Sequence, residues 1–137
     1  MHVETDALLV AAARGVAENA YAPYSKFRVG AALLTAAGEI VTGCNVENAA
    51  YGSSICAETT AIVTAVSQGA RSMSTIAVAC LDSDSLDGAY PCGNCRQLIN
   101  EFGITRIIVT TATGESRLHS NTELLPYGFT LKPESGA

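Results

Sequence analysis

Three of the chain's five cysteines and one glutamate have the types and spacing for metal-assisted acid–base chemistry. Cys92-Gly-Asn-Cys95 is a C-x-x-C pair. Thiols three residues apart at the start of a helix lie close enough to reach one ion. The free N–H groups and dipole of a helix N-terminus also favour the thiolate form. Taken alone, the pair is as well explained by a redox dithiol or half of a structural zinc site, the two together, as by a catalytic ligand pair. Cys56-Ala-Glu58 adds a third thiol and a carboxylate at the head of another helix-like segment. Three thiolates with a fourth position left to water make a catalytic zinc centre, whereas a structural site is closed by a fourth protein ligand. Residues 56 and 58 of a regular helix point about 200° apart, so Glu58 faces the metal only if Cys56 lies at the helix start. An odd number of cysteines cannot pair fully, and clustered cysteines of a reducing compartment more often bind metal than form disulfides.

The elements that must position these residues follow from periodicity. Residues 6–20 have helical spacing, with Leu8, Ala12 and Val16 on one face, Leu9 and Ala13 beside them, and Thr5 or Asp6 as cap. Pro23 lies in the break that follows. Residues 27–35 and 39–46 read as an antiparallel hairpin about Ala36-Ala37-Gly38. A helix over 56–68 ends at Gly69, and residues 74–82 form a buried apolar strand followed by an acidic turn. Residues 92–102 form a helix with Leu98, Ile99 and Phe102 inward and Gly103 as its stop. Strands at 105–111 and 116–119 and a helical turn at 122–125 complete the chain. This order predicts an α/β fold, a three-layer α/β/α sandwich around a mixed sheet. The strand between the two cysteine-bearing helices brings their N-termini to one end of that sheet.

At 137 residues the chain fits a single domain, 1–137, and its 48% hydrophobic content can build a core. No apolar run approaches the roughly 20 residues of a membrane helix. The N-terminal Met-His-Val-Glu-Thr-Asp lacks a secretory pattern. A cytoplasmic protein without a membrane partner is expected. The net charge of −5, with eight scattered Lys and Arg, opposes the basic stripe of nucleic-acid binders. The expected partner is a small molecule and not a nucleic-acid polymer.

Cys-Ala-Glu followed by Pro-Cys-x-x-Cys matches the signature of zinc deaminases, in which Cys can replace His as the first ligand. Val46-Glu-Asn-Ala49, Tyr24-Ser-Lys-Phe-Arg-Val-Gly-Ala-Ala32 and Pro91-Cys-Gly-Asn-Cys-Arg-Gln97 extend the match. Together they resemble the small homotetrameric cytidine deaminases from about residue 21 to Phe129. The resemblance implies a five-stranded cytidine deaminase-like sheet and a Zn2+ ion on Cys56, Cys92 and Cys95. It also implies hydrolytic conversion of cytidine and 2′-deoxycytidine to the uridines, in pyrimidine salvage. A deaminase of a modified cytosine nucleoside or nucleoside antibiotic, and a non-catalytic zinc-stapled module, are the alternatives.

By the same resemblance, Glu58 carries protons from water to the ring and to the departing amine. Asn45 and Glu47 contact the ribose hydroxyls, and a carboxylate there favours a nucleoside over a nucleotide. Phe27 packs against the pyrimidine, and Ala57 offers backbone groups to it. Ala49 and Tyr51 fall where subunits meet, and Phe129 reaches a neighbouring site in a homotetramer. One departure stands out: several family members carry Arg after Cys-Ala-Glu, where this chain has Thr59. Three thiolates on Zn2+ leave a net −1, for which Arg96, the helix N-termini and the Thr59 hydroxyl are candidate compensators. Tyr90 and Tyr127 leave room for an unusual pocket. Cys44 and Cys80 read as buried small hydrophobes, and His2 and His119 as peripheral.

Overall fold

In the computed structural model, which describes residues 2–131, helix α1 (His2–Ala17) leads into strands β1 (Val29–Thr35) and β2 (Ile40–Cys44). Helix α2 (Ala57–Ser67), strand β3 (Met73–Cys80), helix α3 (Gly93–Glu101), strands β4 (Arg106–Thr110) and β5 (Ser116–Ser120), and the short α4 (Asn121–Leu124) follow. The five strands form one sheet in the order β2-β1-β3-β4-β5. β3 and β4 are parallel, joined through α3, and the other three pairs are antiparallel. The sheet is mixed, as the sequence predicts.

Helices cover both faces. Leu9 and Ala13 of α1 pack on Ala32, Ala77, Ala79 and Ile108. On the other face, Ala61, Ile62 and Ala65 of α2 and Ile99 of α3 pack on Leu33, Ile76, Val78, Ile107 and Val109. β3 is buried over nearly its whole length because it is central and covered on both sides. Gly38, Gly69 and Gly103 take positive φ (88°, 104° and 73°) in the hairpin turn and after α2 and α3, where the sequence placed stops.

Two expectations for α1 are corrected. It begins at His2 rather than residue 6, so Asp6 is no cap; its carboxylate pairs with Arg106 of β4 at 2.7 Å. The helix ends at Ala17, where bonding shifts to the carbonyl three residues back, well before Pro23. Its buried face is Leu9, Ala13 and Ala17, while Leu8 is 60% exposed. Gly30 explains the choice. A Cβ there would overlap the Ala13 carbonyl and stand 2.7 Å from the Ala17 nitrogen, so α1 sits directly on the β1 backbone.

Candidate functional site

Cys56 is the N-cap of α2 and Cys92 the N-cap of α3, both with extended backbone (φ −73°, ψ 155° and φ −70°, ψ 170°). The two helix starts converge, leaving the Cys56 and Cys92 sulfurs 3.9 Å apart. All three sulfurs of Cys56, Cys92 and Cys95 lie within 4.8 Å of one another. Cys95 is buried, Cys56 half-buried and Cys92 exposed. The cap conformation also resolves the angular problem of Cys56 and Glu58. A residue just outside the helix is free of the 100° step, so both line one cavity of about 220 Å³. Three soft donors beside an open cavity suit zinc in its catalytic form, with room left for a fourth ligand.

Charge is unevenly distributed here. Hydrogen bonding from Cys95, helped by Cys92, lowers the Cys56 thiol from 9.0 to about 6 against the cost of burial. The same pairing, then burial and the Glu58 charge, pushes Cys95 up, so Cys56 is the first to ionise. Burial raises the Glu58 carboxyl from 4.5 to about 7, its own backbone N–H opposes this, and the Cys56 charge adds to it. An acid that titrates near neutrality both takes and returns protons efficiently. The Thr59 hydroxyl lies 3.6 Å from the Cys95 sulfur and can donate to its thiolate. Arg96 is committed elsewhere, with Nε donating to the Pro91 carbonyl and a terminal nitrogen to the Leu124 carbonyl, each at 2.8 Å.

Asn45, Glu47 and Ala57 also line the cavity. The Asn45 amide is already bonded to backbone, donating to the Phe27 carbonyl at 2.8 Å and accepting from the Val29 N–H at 2.9 Å. Glu47 accepts from the Tyr24 and Ser25 N–H groups and from the Ser25 hydroxyl, which hold its carboxyl below the usual range. Phe27 is not among the residues lining the cavity, and its ring lies beside Gly88 of the wall. Ala49, Tyr51 and Phe129 lie outside the cavity of their own chain; all three are exposed, and Tyr51 stacks edge-on with Tyr24.

Residues 3–111 match the model of the cytidine and deoxycytidylate deaminase zinc-binding region. The chain belongs to that family. It is 44% identical over 131 residues to cytidine deaminase of Sporosarcina psychrophila, covering 94% of each protein. The structure of cytidine deaminase from Burkholderia pseudomallei superposes with a TM-score of 0.84 at 42% identity, over 90% of this chain and 98% of that one. A blasticidin-S deaminase of Bacillus cereus is 34% identical, over 77% of this chain and 79% of its own.

In this deaminase-family chain, parts of the site were not visible in the sequence. Gly88 and Ala89 complete the wall of the cavity; Gly88 ends the 3-10 turn Leu86–Gly88, within the stretch whose sequence predicts an acidic turn, and Ala89 follows it. Ser25, 22 residues before Glu47, organises that carboxylate, and no spacing signal marks the pair. His119 is corrected outright. It is not peripheral: its side chain is 9% exposed and its Nε2 lies 2.6 Å from the Tyr90 hydroxyl. Cys80 is buried as expected, whereas Cys44 is half-buried.

Proposed function

We propose that this chain hydrolyses cytidine and 2′-deoxycytidine to uridine and 2′-deoxyuridine with release of ammonia, using zinc held by Cys56, Cys92 and Cys95. The observation that carries this reading is the buried Glu58 carboxyl on the same cavity as Cys56 and Cys92 of the three-sulfur cluster. A dithiol or a closed structural zinc site has no use for such a group.

Zinc on three thiolates supplies a Lewis acid that makes water a competent nucleophile near neutral pH. Glu58 takes a proton from the attacking water, delivers it to ring N3, and then carries a second proton to the departing amine. Each transfer returns the carboxyl to a usable state, so one residue serves the whole sequence. The helix starts at Cys56 and Cys92 and the Thr59 hydroxyl offset the negative charge of the sulfurs.

Glu47, fixed as a carboxylate by the Tyr24–Ser25 segment, accepts from ribose hydroxyls and repels a phosphate, which favours nucleosides over nucleotides. Asn45 completes that side of the cavity, Ala57 offers backbone groups to the base, and Phe27, beside Gly88 of the wall, packs against the pyrimidine. Tyr51 and Phe129, 73% and 66% exposed, supply apolar area for further copies of the chain, as a homotetramer with shared sites requires, with Ala49 at the same contact. Action on free nucleosides in the cytoplasm is part of this reading. Among the described residues, no helix is long and apolar enough to cross a membrane.

The test is incubation of zinc-loaded protein with cytidine, deoxycytidine, cytidine monophosphate and cytosine. Uridine and deoxyuridine with stoichiometric ammonia are expected, with little turnover of the phosphate. Turnover of blasticidin S in place of cytidine would favour the antibiotic-deaminating alternative, which the 34% identical relative makes specific.

A further inference from the structure

Tyr90 lines the cavity together with Cys92 and Glu58, and the buried Pro91 joins it rigidly to Cys92. It is held by two neighbours, His119 and Arg96. Its hydroxyl lies 2.6 Å from Nε2 of His119 on β5. The Arg96 guanidinium stands 5.9 Å from its ring centre while holding the Pro91 carbonyl. The His119 ring packs at 5.1 Å between centroids, tilted by 58°.

His119 is itself oriented. Its Nδ1 lies 3.0 Å from the Glu123 carboxylate, at ion-pair distance though without hydrogen-bond alignment. That carboxylate is fixed in the capping box of α4, and His119 and the Ser120 N–H hold its pKa below the usual range. In the tautomer with its proton on Nδ1, facing the carboxylate, Nε2 accepts from the Tyr90 hydroxyl. The β5–α4 unit thus braces the wall beside the cysteine-bearing loop.

We propose that Tyr90 is a specificity-determining residue that excludes substituents on the pyrimidine edge next to the reacting carbon, and that His119 is the positioning residue that holds it there. This rests on the deaminase reading, which sets the reacting carbon at the three-sulfur centre. A fixed aromatic wall two residues from Cys92 then has no slack for an added methyl group.

The experiment compares kcat/KM for cytidine with that for 5-methylcytidine and N4-methylcytidine, in zinc-loaded wild type, Tyr90→Ala, His119→Ala and His119→Gln, with zinc content measured in each. Wild type should disfavour at least one analogue. Tyr90→Ala should relax that preference about tenfold, the scale of one methyl group in a pocket, and His119→Ala by a smaller factor, about threefold, because the ring itself remains. His119→Gln, whose amide oxygen can accept the Tyr90 hydroxyl, should restore wild-type preference. Equal use of all three substrates by wild type overturns the proposal, as do preferences unmoved in both alanine variants. If Tyr90→Ala fails to fold, the His119 pair decides by the same criterion. A zinc-loaded wild type inert towards cytidine overturns the deaminase reading as well, whereas an active wild type with unmoved preferences overturns this inference alone.

Discussion

Replacing Glu58 by Gln should stabilise the metal-free protein in a pH-dependent way, because a buried carboxyl is tolerated only while protonated. Folding raises this pKa from 4.5 to about 7. At about 1.4 kcal/mol per pKa unit, that is about 3 kcal/mol against the charged form. Below pH 4.5 the group is protonated in both folded and unfolded chains and contributes no pH dependence. Between 4.5 and 7 the unfolded chain releases the proton while the folded chain keeps it, so stability falls as pH rises. Above 7 the loss is complete and constant. Urea unfolding of reduced, chelator-treated protein can be followed by tyrosine fluorescence, since the chain has no tryptophan. The stability of Glu58→Gln minus that of wild type should grow by about 3 kcal/mol from pH 4 to pH 8. The change of this difference with pH cancels the fixed cost of the buried amide and the titration of groups that do not interact with Glu58. Zinc, which places positive charge beside the carboxylate, should shrink the gain. A difference that stays flat across this range would refute the burial argument.

Thr59→Val removes the hydroxyl facing the Cys95 sulfur. A hydrogen bond to a charged group is worth about 1.5–3 kcal/mol, so zinc affinity in a chelator competition should fall about tenfold or more. Asn45→Ala leaves the Phe27 carbonyl and Val29 N–H without their side-chain partner, and urea unfolding should show a loss of about 2 kcal/mol. Gly30→Ala drives a Cβ into the α1 backbone and should cost about 3 kcal/mol or prevent folding, whereas Gly15→Ala, with open space at its Cβ, should be neutral or stabilising by about 0.5–1 kcal/mol in the same assay.

Element types and order were legible because hydrophobic period, glycine stops and proline breaks are local signals. The face of α1 was not. Leu8 and Leu9 head two stripes of equal period, and the choice between them is made by Gly30, a tertiary contact absent from helical spacing. The three cysteines were visible as a motif, yet whether Glu58 shares their cavity depends on the extended backbone at Cys56. Ser25 with Glu47, and His119 with Tyr90, are long-range pairs of ordinary polar residues. Nothing in either residue's neighbourhood announces its partner, so neither the Ser25–Glu47 contact nor the burial of His119 follows from the local sequence.

The most direct test of the account is turnover of cytidine by wild type and Glu58→Gln, with bound zinc measured in the same samples. Wild type should yield uridine and ammonia in equal amounts with one zinc per chain. Glu58→Gln should keep its zinc and lose activity by about 10²-fold or more, as expected for removal of a general acid–base group. Zinc-loaded wild type that forms no uridine, or a variant with undiminished turnover, would contradict it.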